Sequence, residues 1–443
     1  MSMPAINHYL EKSRHLGIQL AGDGLESVRN TGIERFREKG FPGMREEHWK
    51  YTDVKPIAAG IFSVPHAIGD KINSDMVNNF RLGGVGCHEL VFINGRFAKE
   101  HSSSGTVPDG VIVQDLAGAT LYHQELIRKH ISHYADPATN PFTALNMAFI
   151  QHGCLLFIPA EIALEKPVHL LYLSGMHEEP FAAHPRNLII LSENARATVI
   201  ESYIGLDEGS YFTNTVTEAC LQGGSSLQHF KIQQEGRSCF HVGNFAIRQG
   251  ENSQVKSHSI ACGGSLVRND IHTRLEAAGA GIELNGLYIG DGRQHIDNHT
   301  RVDHLQPGTR SRENYRGVLN GAARGVFNGK VVVHKGAQKT DASQNNANLL
   351  LSDSAEVDTK PELEIYADDV KCTHGATVGQ LNQDMLFYLR SRSIDEATAR
   401  SLLTYAFTEE IIREIGIVPL RQRLEQMVIG LLPDPELIRE FAA

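Results

Sequence analysis

Three runs, LQHFKIQQ (227–234), QVKSHSIAC (254–262) and IELNGLYIG (282–290), decide the fold class. Each is rich in β-forming residues, and Gly, Asn, Asp and Ser punctuate the chain between them. Runs starting near Leu227, Ser253, Ile282 and Arg310 recur at a step of roughly 27 residues, the length of one solenoid coil. Upstream, CLLFIPA (154–160), VHLLYLS (168–174), RNLIILSE (186–193), ATVIESYIG (197–205) and TNTVTEACLQ (213–222) read the same way. So many short strands argue against a doubly wound α/β fold. A stacked β-helix would keep about 250 residues in one body, because each coil contacts mainly its neighbours. Asn345, Asn346 and Asn348 suit turns or side-chain ladders in such a stack. The internal self-similarity is weak and leaves an antiparallel sandwich open.

Working outward, residues 1 to about 55 place apolar positions such as Leu25, Val28, Ile33 and Phe36 at helical spacing. Gly40-Phe41-Pro42-Gly43 breaks that region, and the only tryptophan, Trp49, reads as a packing anchor. ELVFINGRFA (89–98) reads as a hairpin closed at Asn94-Gly95. ATLYHQELIRKHISHYAD (119–136) has helical spacing, and Asn140-Pro141 starts a second helix. In the tail, Ser393 and Glu396 form a capping-box pattern, and Leu403, Phe407, Ile411 and Ile415 make an apolar stripe that runs to Gly416. Pro419 opens another helix, striped by Leu420, Leu424, Met427 and Leu431, and Pro433 ends it. These stripes read as the two helices packing on each other, with a partner surface as the alternative. The expected organisation is an N-terminal helical region (1–87), a β core (88–379) with a helical insertion near 119–152, and a C-terminal helical domain (380–443).

Composition narrows the function. The 443 residues include 42 basic and 52 acidic side chains, a net charge of −10, which disfavours a broad nucleic-acid or anionic-membrane surface. Six cysteines (Cys87, Cys154, Cys220, Cys239, Cys262, Cys372) show no CxxC spacing and read as reduced thiols. No basic, apolar leader opens the chain, and no run approaches the roughly 20 apolar residues of a membrane span, so the expected location is the cytoplasm. Gly325-x-x-x-Gly329-Lys330-Val331 is too short for a phosphate loop and lacks its Ser or Thr. Gly279-Ala280-Gly281 lacks the third glycine of a dinucleotide fingerprint, and neither GxSxG nor HExxH occurs.

The remaining chemistry gathers at VDTKPELEIYADDVKCTHGATVGQLNQDMLFYLRSR (357–392), where the β body gives way to the helical tail. Cys372 and His374 stand two residues apart, so in an extended chain both side chains leave the same face. A thiolate beside an imidazole suits iron or zinc. Two ligands do not complete a four-coordinate site, and a buried thiol beside a hydrogen-bonded histidine is the plainer reading. The glycines of GATVG are expected to turn the backbone. His295, His299 and His304, interleaved with Asp297 and Asp303, form a rival cluster that reads as a surface or turn feature, with His304 facing away from the other two. Cys239 and His241 repeat the Cys-x-His spacing, so spacing alone does not make a site.

EVDTKPELEIYADDVKCTHGATVGQLNQDMLFYLRSRSI (356–394), with ATARSLLTYAF (397–407), resembles the C-terminal part of the SufD family. These are non-ATPase scaffold subunits of the SUF iron–sulfur cluster assembly machinery. The resemblance continues through VFNGKVVVHKGAQKTDASQNNANLLLSDSAEVDTKP (326–361), HPRNLIILSENARATVIESYIG (184–205) and REEHWKYTDVKPI (45–57). His374-Gly375 matches SufD better than its paralogue SufB, which carries HE there. The resemblance implies a mainly β fold, a right-handed parallel β-helix flanked by N-terminal and C-terminal helical domains. It implies a scaffold rather than an enzyme, pairing with a SufB-type subunit and binding a SufC-type ATPase through the C-terminal helical domain. It further implies that His374 and Cys372 share an interface site for a nascent, transient iron–sulfur cluster. The competing readings are a carbohydrate-acting, lyase-like enzyme on a β-helix, and a homodimer of the isolated chain.

Overall fold

The computed structural model describes residues 3–65, 68 and 71–432, and in it the β runs stack as a parallel solenoid of about eight turns. Each coil of the regular region contributes one strand to each of two sheets. The first sheet begins at Arg96–Phe97 and His88–Ile93 and ends at Asp341–Leu350 and Lys371–Gly379; the second begins at Ile112–Asp115 and ends at Arg324–Val333 and Glu356–Ile365. Ser226, Gln254, Gly281, Arg310, Asp341 and Lys371 are in register from coil to coil. The repeat seen in the sequence is therefore the coil step, and the parallel pairing rules out the antiparallel sandwich. Side chains alternate between the shared interior and the outer wall, so Leu227, Val255 and Ile282 stack inside.

Helices cover both outer walls. On the second sheet, Met3–Gln19 and Glu26–Lys39 pack with Pro141–Ala148 over Phe212, Val242 and Leu266. Gly32 permits the close crossing, since a Cβ there would lie 2.5 Å from the Ala148 backbone nitrogen. Trp49 is the packing anchor expected of it, with Phe142 against its ring and the Arg268 guanidinium 3.8 Å from its centre. The turn at Asn94 (φ 51°) and Gly95 (φ 79°) closes the expected hairpin, pairing Ile93 with Arg96. No helix among the described residues is long and apolar enough to cross a membrane.

On the first sheet, Ile411, Ile412, Ile415, Leu420, Leu424 and Val428 pack on Ile200, Phe230, Ile232, Ile260 and Leu287. Each fully buried aliphatic side chain there contributes about 1.5–3 kcal/mol. The tail stripes thus meet the β wall, not chiefly each other. The capping box also needs correction: Ser393 has φ 66°, and Asp395 caps the helix Glu396–Ile412 by accepting from the Thr398 backbone N–H at 3.0 Å. Pro433 lies outside the described residues.

The helix expected over 119–136 is broken into Leu116–Ala119 and Gln124–His130, after which the chain departs to serve a buried carboxylate. Glu218 accepts from the backbone N–H groups of Ser132, Tyr134 and Ala135 and pairs with Arg186 at 2.6 Å, with both side chains fully buried. Removing the carboxylate strands a buried guanidinium and three backbone donors. Glu218→Ala is therefore expected to cost about 3–5 kcal/mol in chemical denaturation. A loss below about 1 kcal/mol would show that the pair does not pin the insertion.

Candidate functional site

The solenoid ends differ. At the start, the two-residue strand Arg96–Phe97 and the strand Ile112–Asp115 pair antiparallel and close the sheets with short pieces. At the finish, Glu356–Ile365 and Lys371–Gly379 are the outermost strands, and among the described residues no further strand follows either. Their side chains are partly or fully exposed, unlike the alternately buried strands before them. The strand runs straight through Gly375 to Gly379, contrary to the expected turn, because each residue from Lys371 to Gly379 stays in register with the previous coil.

Register fixes where Cys372 and His374 point. Cys372 pairs with Ala342 and His374 with Gln344, and both earlier residues are buried interior positions. The two candidate ligands therefore occupy inward positions of a coil that nothing covers. Cys372 is half-buried against the core, and burial pushes its thiol pKa up; the Ala342 backbone opposes the rise and Asp341 adds to it. His374 is exposed. Among the described residues no group of three or more His, Cys, Asp or Glu side chains is placed to hold a metal ion. The pair is an incomplete coordination set. Exposed apolar side chains occur on the terminal strands and just beyond them: Ile365, Tyr366 and Val378, and Met385, Phe387 (76%) and Tyr388 on the following helix, Gln383–Ser391.

The rival histidines serve structure. They lie on one strand, His295–His304, rather than in a turn. His295 Nε2 lies 2.9 Å from Thr52 Oγ1, and His299 pairs with Asp297 at 3.0 Å. His304 does face away, buried against Thr309 and Ser311. His241 is buried on Glu235 at 2.7 Å, which disposes of the second Cys-x-His pair. Sequence reasoning missed Gln344 and Glu313, which precede His374 by one and two coils in the same inward column. Only the coil register would have exposed them.

Two family models match consecutive parts of the chain. The SufBD protein N-terminal region covers residues 5–170, and the SufBD core domain of SUF system FeS cluster assembly covers 173–407. An iron–sulfur cluster assembly SufBD family protein of Synechocystis is 33% identical over 398 residues, spanning 88% of this chain and 87% of the relative. The iron–sulfur cluster assembly protein SufD of Escherichia coli is 29% identical over 435 residues, 97% and 98% of the two chains. The protein of the same name from Bacillus subtilis is 25% identical over 323 residues, 72% and 73% of the two.

The thiol geometry makes a direct prediction. Burial raises the pKa of Cys87 to about 11 and that of Cys372 above its ordinary value, so little of either is thiolate at neutral pH. Iodoacetamide at pH 7 is expected to modify these two half-buried thiols more slowly than free cysteine, and faster as pH rises. The four buried cysteines should react only on unfolding. Mass-spectrometric mapping reads the order, and rapid labelling of Cys372 at pH 7 would contradict it.

Proposed function

The chain belongs to the SufBD family of SUF iron–sulfur cluster assembly proteins, and from that premise we propose that it is a SufD-type, non-catalytic scaffold subunit. In this reading its open coil end docks on a SufB-type subunit, and His374, with Cys372, completes a site for the nascent cluster together with ligands from that subunit. The observation that carries the reading is the pair of candidate ligands at inward positions of a last coil with no successor. An exposed sheet edge is a ready template for another chain's strand, and the apolar rim of Ile365, Tyr366 and Val378 gives such a contact area to bury. The iron–sulfur cluster is cargo: it is built across the contact and handed on.

A SufC-type ATPase would bind the C-terminal helical region. Much of the wall-facing stripes is already occupied, and among the described residues the outward face of Gln383–Ser391, where Met385, Phe387 and Tyr388 are exposed, is a free surface for it. ATP hydrolysis would belong to that subunit, in keeping with the absence of a phosphate loop in this sequence. A second copy of the chain could use the same open end when the SufB-type subunit is missing. Family membership favours this reading over a carbohydrate-acting enzyme on the same coils.

The test is a reconstituted complex carrying His374→Ala. Because the imidazole is exposed and makes no hydrogen bond among the described residues, the variant should fold and assemble normally. Its complex should hold at least about tenfold less iron and acid-labile sulfide. Wild-type iron and sulfide in an intact complex would refute the assigned role.

A further inference from the structure

The inward column that ends at His374 continues beneath it as Gln344 and then Glu313. Both are 2% exposed, and both carry polar atoms without partners: the Gln344 Nε2 and Oε1, and the Glu313 Oε1. The other Glu313 oxygen accepts from Thr300 Oγ1 at 2.5 Å. Burial raises the Glu313 carboxyl pKa to about 7, opposed first by Thr300 and then by the neighbouring Gln344 carboxamide, whose approach falls short of good hydrogen-bond geometry. Room for the carboxamide is made from the opposite sheet. A Cβ at Gly329 would lie 2.0 Å from Gln344 Nε2, so any other residue there would displace the carboxamide. The glycine that imitates a phosphate loop in the sequence is here a clearance for one buried amide.

A buried amide with both ends unpaired costs stability, and an apolar side chain of the same length would fit this interior at less cost. Position suggests what the amide is for. It is the in-register neighbour of His374, and a carboxamide can donate or accept, so it can meet either imidazole nitrogen. Histidines that hold metals are nearly always oriented by a hydrogen bond to the second ring nitrogen. We propose that Gln344, backed by Glu313, is the positioning residue for His374: its carboxamide hydrogen-bonds one imidazole nitrogen when the open end is covered, leaving the other to hold iron. This rests on the cluster-site reading of His374 given above.

The experiment compares wild type, Gln344→Met, Gln344→Glu, Glu313→Gln and His374→Ala, each reconstituted with SufB-type and SufC-type subunits. It measures bound iron and sulfide in the complex and the melting temperature of the free chain. Gln344→Met keeps the length and removes the unpaired amide. It is expected to melt no lower than wild type while its complex holds at least about tenfold less iron and sulfide, with Gln344→Glu partly restoring both. Wild-type iron in Gln344→Met alongside depleted iron in His374→Ala overturns this inference alone. Iron loss that tracks a lowered melting temperature and is not restored by Gln344→Glu also overturns it, since that pattern marks a merely structural residue. Should Gln344→Met not fold, Glu313→Gln serves instead, expected to hold several-fold less iron and overturning the inference at wild-type iron. Wild-type iron in His374→Ala overturns both this inference and the reading beneath it.

Discussion

In-register hydrogen bonding from one coil to the next governs this molecule. Every strand of the regular region satisfies its backbone on the coil before and the coil after, so a finite stack must leave its last edge over. At the start the chain folds back on itself, and short antiparallel strands take up the leftover edge. At the finish two strands of full length stay unpaired on their outer side, and the chain leaves for the helices instead of covering them. Natural sheets usually shorten, charge or cover such an edge. Here the edge remains long: Glu356–Ile365 is guarded by alternating charges and Pro361, whereas Lys371–Gly379 carries the exposed Val378 and the two candidate metal ligands.

The solenoid interior is unlike an aliphatic core. Polar groups are stacked along the coils and mostly satisfied within them: His229 bridges Glu201 and Ser257, and Lys231 meets Asn269 at 2.6 Å. Such groups are tolerable inside a low-dielectric body only because neighbouring coils supply partners at a fixed register. Unpaired buried atoms occur along the whole stack, as at Gln233, His241 and His258. Gln344 and Glu313 keep unpaired atoms, and His374 has no later coil to lie against.

Much of this was legible in the sequence, for physical reasons. The coil step showed because turn residues must recur wherever the stack bends, and the Asn94-Gly95 hairpin showed because both positions need positive φ. The shared face of Cys372 and His374 followed from strand period alone. What the sequence could not give was context from other coils. Glu218 takes its backbone donors from a segment more than eighty residues away, and that pull breaks a helix that local spacing favours. The tail stripe read equally well against a helix, a partner or a wall, because periodicity names a buried face without naming what covers it. Gln344 and Glu313 were invisible for a similar reason: each is an ordinary polar residue until the register sets it beneath His374.

Hydrogen–deuterium exchange reads the open edge most directly. Amides of Glu356–Ile365 and Lys371–Gly379 would be followed in the free chain and after addition of a SufB-type subunit. The account predicts that amides on the outer side of both strands exchange readily in the free chain and become protected when that subunit binds. Unchanged exchange along both strands in an assembled complex would contradict it.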